Sequence, residues 1–214
     1  MISSPTPFLD QFESHRATGI FPRLRAFFAL ALLGLGVSGC GYNTIPTLEE
    51  QAKAKWADVQ NQYQRRADLI PNLVATVQGY AKQEKDVLTS VVEARAKATS
   101  VRIDASQLTD PDKLKQFQDA QAQLSGALGR LLAVSENYPD LKSNQNFLAL
   151  QSQLEGTENR ILQSRRRYNE AVQKYNTDLS LFPANVVASM SGFQREDAYF
   201  KTDAAARTAP KVQF

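Results

Sequence analysis

The chain's one cysteine, Cys40, closes an apolar run that reads Leu35-Gly36-Val37-Ser38-Gly39-Cys40. A thiol preceded by two small residues and an aliphatic one resembles a bacterial lipobox. In that chemistry a transferase alkylates the sulfur with diacylglycerol and a peptidase cuts ahead of the cysteine. Val37, Ser38 and Gly39 are then the cleavage-recognition positions, and Cys40 becomes the lipidated first residue of the mature chain. Arg16, Arg23 and Arg25 supply a positive n-region, and Ala26 to Val37 supply the apolar h-region. Asp10 and Glu13 lengthen the stretch before it, as a translation start downstream of Met1 would explain. The competing reading is an uncleaved anchor helix. Ala26 to Cys40 is too short for the roughly 20 residues a span needs, and a helix over Ile20–Tyr42 would bury Arg23 and Arg25.

Other chemistry is sparse. Histidine occurs once, as His15, inside the expected leader. The mature chain therefore lacks imidazole, which removes Ser-His and Cys-His nucleophile pairs, histidine bases and Glu-x-x-His di-iron ligands. With one cysteine, neither an intrachain disulfide nor a thiolate metal site is available. No metal or cofactor is expected. Carboxylates remain, and Glu136 with Glu158 is the pair considered for acid/base work. Removing residues 1–39 takes three of 25 basic residues and two of 22 acidic ones, leaving 22 and 20. That balance, without a Lys/Arg stripe interleaved with aromatics, gives no nucleic-acid footprint.

The elements that must position these groups are helical. From Thr47 the apolar residues repeat every seven: Trp56, Tyr63, Ile70, Val77, Glu84, Val91, Ala98, with Val59, Arg66, Leu73, Tyr80, Val87, Ala94 and Val101 three residues behind. Pro71 should kink this array into segments over about Thr47–Leu69 and Asn72–Val101 that present a common face. After a break at Arg102–Thr109, Asp110-Pro111 reads as an N-cap with proline in the first turn. That helix runs to about Asn137 through Phe117, Leu124, Leu131 and Tyr138, and Tyr138-Pro139-Asp140 stops it. A last long helix from Ser143 or Asn144 carries Phe147, Leu154, Ile161, Tyr168, Tyr175 and Phe182 until Pro183. Val186, Val187, Met190, Phe193, Tyr199 and Phe200 can lie along the bundle as an extended arm, and the stretch after Lys201 is expected to fray.

The expected fold is all-α, an up-and-down bundle of three to four long antiparallel helices with a C-terminal extended arm. Its division is a leader over 1–39, a membrane-proximal linker over 40–46, the bundle over 47–183 and the arm over 184–214.

Several tracts carry a family resemblance. Arg65-Arg66-Ala67-Asp68-Leu69-Ile70-Pro71-Asn72-Leu73-Val74, Glu93-Ala94-Arg95 and Glu136-Asn137-Tyr138-Pro139-Asp140-Leu141-Lys142 resemble the hallmarks of LemA proteins. So do Asn146-Phe147, Leu150-Gln151, Leu154, Thr157-Glu158-Asn159-Arg160-Ile161, Arg166-Arg167-Tyr168-Asn169, Tyr175-Asn176 and Phe182-Pro183. They fall in family order across roughly 57–193. The resemblance implies a bacterial helical bundle held to a membrane by an N-terminal hydrophobic segment, with no enzymatic activity attached. It also implies kinship to a magnetosome membrane protein of magnetotactic bacteria. The lipobox departs from the plain transmembrane helix of many members, which bears on the mode of anchoring.

Arg66 and Glu84 stand at core-track positions where apolar residues are expected. With Arg65, Asp68, Asn72, Glu136 and Glu158 they form a candidate polar niche around Pro71. An ion pair from Arg66 to Glu136, Glu158 or Asp178 that fixes register is preferred to a ligand site. Asp68 and Asn72 can cap the two pieces at the kink. Tyr138, Tyr168 and Tyr175 read as core aromatics with bonded hydroxyls. Asn169 and Asn176, seven apart, form a ladder suited to internal hydrogen bonds or to a partner backbone. Arg165-Arg166-Arg167 is read as a solvated face, being short for a polybasic cluster.

These features favour a membrane-tethered, extracytoplasmic, non-enzymatic scaffold or partner-binding module, attached to membrane lipid through Cys40 and serving a protein partner the sequence does not name. The alternatives are a carboxylate-only hydrolase using Glu136 and Glu158, or a membrane-remodelling or efflux-adaptor-like hairpin. The oligomeric state and the choice of inner or outer membrane are open.

Overall fold

The computed structural model describes residues 43–201, so the leader, Cys40 and the tail after Lys201 lie outside the described residues. The described chain is all-α: α1 (Thr44–Tyr80), α2 (Lys85–Ser100), a 3-10 turn (Ala105–Gln107), α3 (Pro111–Ser135), the short α4 (Pro139–Lys142), α5 (Gln145–Asp178) and α6 (Ala184–Ser191). The 37 residues of α1 span about 55 Å at 1.5 Å per residue.

The caps follow the sequence. The Asp110 carboxylate accepts from the amides of Asp112 (2.9 Å) and Lys113 (3.4 Å) at the start of α3, with Pro111 in the first turn, where its missing N–H costs nothing. Asn144 accepts from the Phe147 amide at 3.0 Å to open α5. Gly192 closes α6 with φ 76°, a left-handed geometry that only a residue without Cβ adopts freely.

The expected break at Pro71 does not occur. α1 runs through it, and the chain reverses ten residues later, at Ala81–Glu84. α2 is therefore an antiparallel partner of α1 rather than its continuation, and the seven-residue beat survives the turn because both helices face one core. Asp68 and Asn72 accordingly cap nothing. Asp68 accepts from Gln64 at 2.7 Å within the helix, and Asn72 is exposed. Helix α1 also starts three residues before the expected Thr47.

α1 and α5 lie antiparallel along their length. At one end Ile45 and Leu48 meet Tyr175 and Leu179; at the other, Asn144 Nδ2 donates to the Tyr80 hydroxyl at 2.8 Å. α3 packs on this pair in two of its three core clusters and α2 in one. The distal cluster gathers Ile70, Leu73, Val77, Val91, Leu131 and Phe147. The central one is aromatic: Trp56 lies between Phe117, Tyr168 and Phe200, with ring centroids 5.5–6.0 Å apart, and its indole N–H donates to the Ile103 carbonyl at 3.1 Å. The third cluster is built by α1, α5 and α6 with the adjoining Leu179 and Phe193.

Two apolar expectations fail at that end. α5 stops at Asp178, five residues short of Pro183, so Phe182 has no helix to carry its heptad inward and is 78% exposed. Residues 184–191 form a helix instead of extended chain, and it leaves Val186 and Met190 outward while Val187 and Phe193 pack.

Candidate functional site

Arg66 is buried in mid-bundle at 3% exposure. Its Nη1 donates to Glu158 Oε2 at 2.9 Å and to Ser125 Oγ at 3.0 Å. Its Nη2 donates to Gln121 Oε1 at 2.7 Å and the Gln121 carbonyl at 3.3 Å. Gln121 passes the connection on, donating to the Ala98 carbonyl at 3.1 Å. One guanidinium thus ties α1 to α3 and α5, and through Gln121 to α2. Its Nε is buried without an acceptor among the described residues, and the Tyr63 ring lies 5.2 Å from the guanidinium carbon.

The other residues of the expected niche disperse. Arg65 is exposed. Glu84 stands at the N-terminal end of α2 without a side-chain cap bond and accepts from the Tyr138 hydroxyl at 2.8 Å, which raises the tyrosine pKa. Glu136 pairs with Lys142. Glu136 stands eleven residues along α3 from Ser125, which shares Arg66 Nη1 with Glu158; at 1.5 Å per residue that is roughly 16 Å of helix. Glu136 and Glu158 do not face each other. A cavity of about 320 Å³ beside Tyr63, Thr99 and Gln121 has no carboxylate in its lining.

The sequence's asparagine ladder is occupied by the chain itself. Residues 194–200 run extended and antiparallel along α5, with Glu196, Ala198 and Phe200 inward and Arg195 and Asp197 outward. Asn169 clamps the Phe200 peptide group, donating to its carbonyl at 2.8 Å and accepting from its amide at 2.9 Å. Asn176 holds Glu196 in the same way, at 2.6 and 3.0 Å. The hydroxyls of Tyr168 and Tyr175 donate to the Ala198 and Gln194 carbonyls at 3.1 and 2.9 Å. Burial pushes both tyrosines up, Tyr175 to about 12. Arg165 adds a guanidinium 4.6 Å from the Phe200 ring centroid and a bond to the Lys201 carbonyl. Arg166 pairs with Glu170.

The Glu196 side chain is buried, and its Oε2 has no partner among the described residues. Desolvation, aided by Glu49, pushes its pKa up to about 7 against the opposing charge of Lys53. These three, with Tyr175 and Phe193, line a cavity of about 530 Å³ under the arm. Lys53 is already bound to Glu49 at 2.8 Å and Glu50 at 2.9 Å. Among the described residues no group of three His, Cys, Asp or Glu could hold a metal.

Arg95 was legible only as part of a tract; its role is a contact of long range. Pro71 has no N–H, so the Ala67 carbonyl four residues earlier loses its helical donor. Arg95 Nε supplies one at 2.8 Å from α2.

This bundle, with its Arg66 bolt and its tyrosine–asparagine face, is that of a LemA-type protein. The LemA family model matches residues 55–214, and the chain belongs to that family. It is similar to magnetosome protein MamQ 2 of Paramagnetospirillum magneticum, 29% identical over 78% of this chain and 67% of that protein. It is similar too to MamQ of Magnetospirillum gryphiswaldense (27%, 76% and 66%) and to protein LemA of Metamycoplasma hominis (26%, 61% and 55%). No helix among the described residues is long and apolar enough to cross a membrane.

Proposed function

We propose that this protein is a lipid-tethered, extracytoplasmic helical module that scaffolds or binds partners and performs no chemistry of its own. The observation that carries this reading is the use made of its buried polar side chains. Asn169, Asn176, Tyr168 and Tyr175 hold a peptide backbone, and Arg66 bolts helices together. That is machinery of recognition and rigidity. The relatives named above as magnetosome proteins are named for an assembly rather than a reaction, which fits the same reading. The lipobox at Val37–Cys40 supplies the tether.

Mass spectrometry of the N-terminus of protein purified from membranes tests the tether, with diacylglycerol on Cys40 as the expected result and Cys40→Ser moving the chain out of the membrane fraction. An intact Met1 or an unmodified thiol defeats it. Site-specific photocrosslinking in the native host tests the scaffold, with one recurrent protein partner expected. A hydrolytic activity that Glu158→Gln abolishes without lowering the melting temperature would replace the scaffold with an enzyme.

A further inference from the structure

The end of the bundle where α1 begins is apolar in a way the rest of the surface is not. Leu181 (56%), Phe182 (78%), Val186 (49%) and Met190 (84%) are all large, apolar and exposed, and Phe182, Val186 and Met190 follow at intervals of four. Elsewhere exposed apolar side chains such as Val92 and Leu162 stand singly, which is ordinary. The sixteen residues from Leu179 to Gln194 include no charge, nor do those from Gly41 to Leu48. These two stretches meet, since Ile45 and Leu48 pack against Leu179, Ala184 and Ala188. Cys40 lies four residues before Thr44 in the chain, at the end of α1 that packs on this corner.

We propose that the α5–α6 corner is a second membrane contact, entering the lipid interface through Leu181, Phe182, Val186 and Met190. The inference rests on the tethered reading above and adds a face and an orientation to it. α6 turns Val186 and Met190 outward beside the neutral Asn185, Ser189 and Ser191, and an uncharged surface of this kind is suited to the acyl boundary rather than to headgroup charge. Lipid is favoured over a second copy by position, since the patch adjoins the start of α1, four residues after the anchor position Cys40. Held this way, the protein has two contacts near one pole, and α1 stands away from the bilayer.

The test uses the full chain, purified from membranes, in vesicles of phosphatidylcholine and of its dibrominated form. Met190→Trp adds a fluorophore at the corner, and Val92→Trp adds one on α2, whose contacts lie in the distal cluster. Buried Trp56 provides a common background. The proposal expects the added indole of the Met190→Trp protein to shift blue in vesicles. Brominated lipid should quench it several-fold more than it quenches the Val92→Trp protein. Vesicles that float with the Met190→Trp protein but leave its added indole unquenched overturn the corner contact while the tether stands. An added indole already blue-shifted in detergent and unquenched by bromine, covered by a second copy or by the chain's own apolar segment, overturns it too. Failure to float at all removes both readings.

Discussion

The Nε of Arg95 lies 2.8 Å from the carbonyl of Ala67, the acceptor that Pro71 deprives of its helical donor. A proline at that place in a 37-residue helix should cost about 3 kcal/mol, and part of the loss is an orphaned carbonyl. α2 folds back to restore that hydrogen bond from outside the helix. This compensation lets α1 remain one rod, and it links two tracts that the sequence shows only as separate motifs.

The compensation is testable as a cycle. Arg95→Met should lower stability by about 1.5–3 kcal/mol, the range for a hydrogen bond from a charged donor. In a Pro71→Ala background residue 71 donates to Ala67 itself, and the same substitution should cost well under half as much. Equal costs in both backgrounds, measured by denaturant unfolding, would show that Arg95 acts elsewhere.

The Arg66 network should respond asymmetrically. Glu158 has a side chain 48% exposed and Arg66 one of 3%. Arg66→Met lets the carboxylate return to water and strands mainly the Gln121 acceptors, a cost of about 1–3 kcal/mol. Glu158→Ala leaves a buried cation without an anion and should cost about 3 kcal/mol or more. The double variant should lose less than the sum of the two. The order is checked by chemical denaturation of the three proteins.

Ile161, 1% exposed in the central cluster, tests the helix phasing. Ile161→Ala should cost about 2–5 kcal/mol and lower the melting temperature by several degrees. Leu162→Ala, at 54% exposure, should change it little. A reversed order would misplace the core face of α5.

The arm should loosen as pH rises. Glu196 has its pKa raised from 4.5 to about 7 when docked, so the docked arm binds a proton that the released arm gives up. Docking stability is therefore full below about 4.5 and falls as pH climbs through 7. Hydrogen-exchange protection of the Glu196 and Phe200 amides, corrected for intrinsic rates, should drop across that window. In Glu196→Gln the drop should vanish. Asn176→Ala should abolish protection at Glu196 at every pH while leaving the helices formed.

The long-range terms decided which parts of this fold could be read in advance. Heptads at Trp56, Tyr63, Ile70 and Val77, or Phe147, Leu154, Ile161 and Tyr168, record a helix burying one face and were legible. So was Asp110, whose cap bonds residues two and three away, and the start of α5 was legible to within Ser143 or Asn144. The Pro71 reading erred because its remedy lies on another helix, 24 residues later. Phe182 continued a periodic track past the point where the helix carrying it had stopped. Of the site, Asn169 and Asn176 left a signal in their spacing of seven. What they hold was hidden because both asparagines bond peptide groups of the arm, which every sequence has.

That mode of holding has a consequence for how the protein can change. Clamps aimed at peptide groups impose no demand on outward positions such as Arg195 and Asp197, whose only side-chain partners among the described residues are each other and the exposed Ser180 hydroxyl. Substitutions there can alter the charge and chemistry displayed along the outer edge without disturbing the docking beneath it. The bundle has, in effect, a fixed rail with an editable label, so the surface it displays can change while one mechanical frame is kept.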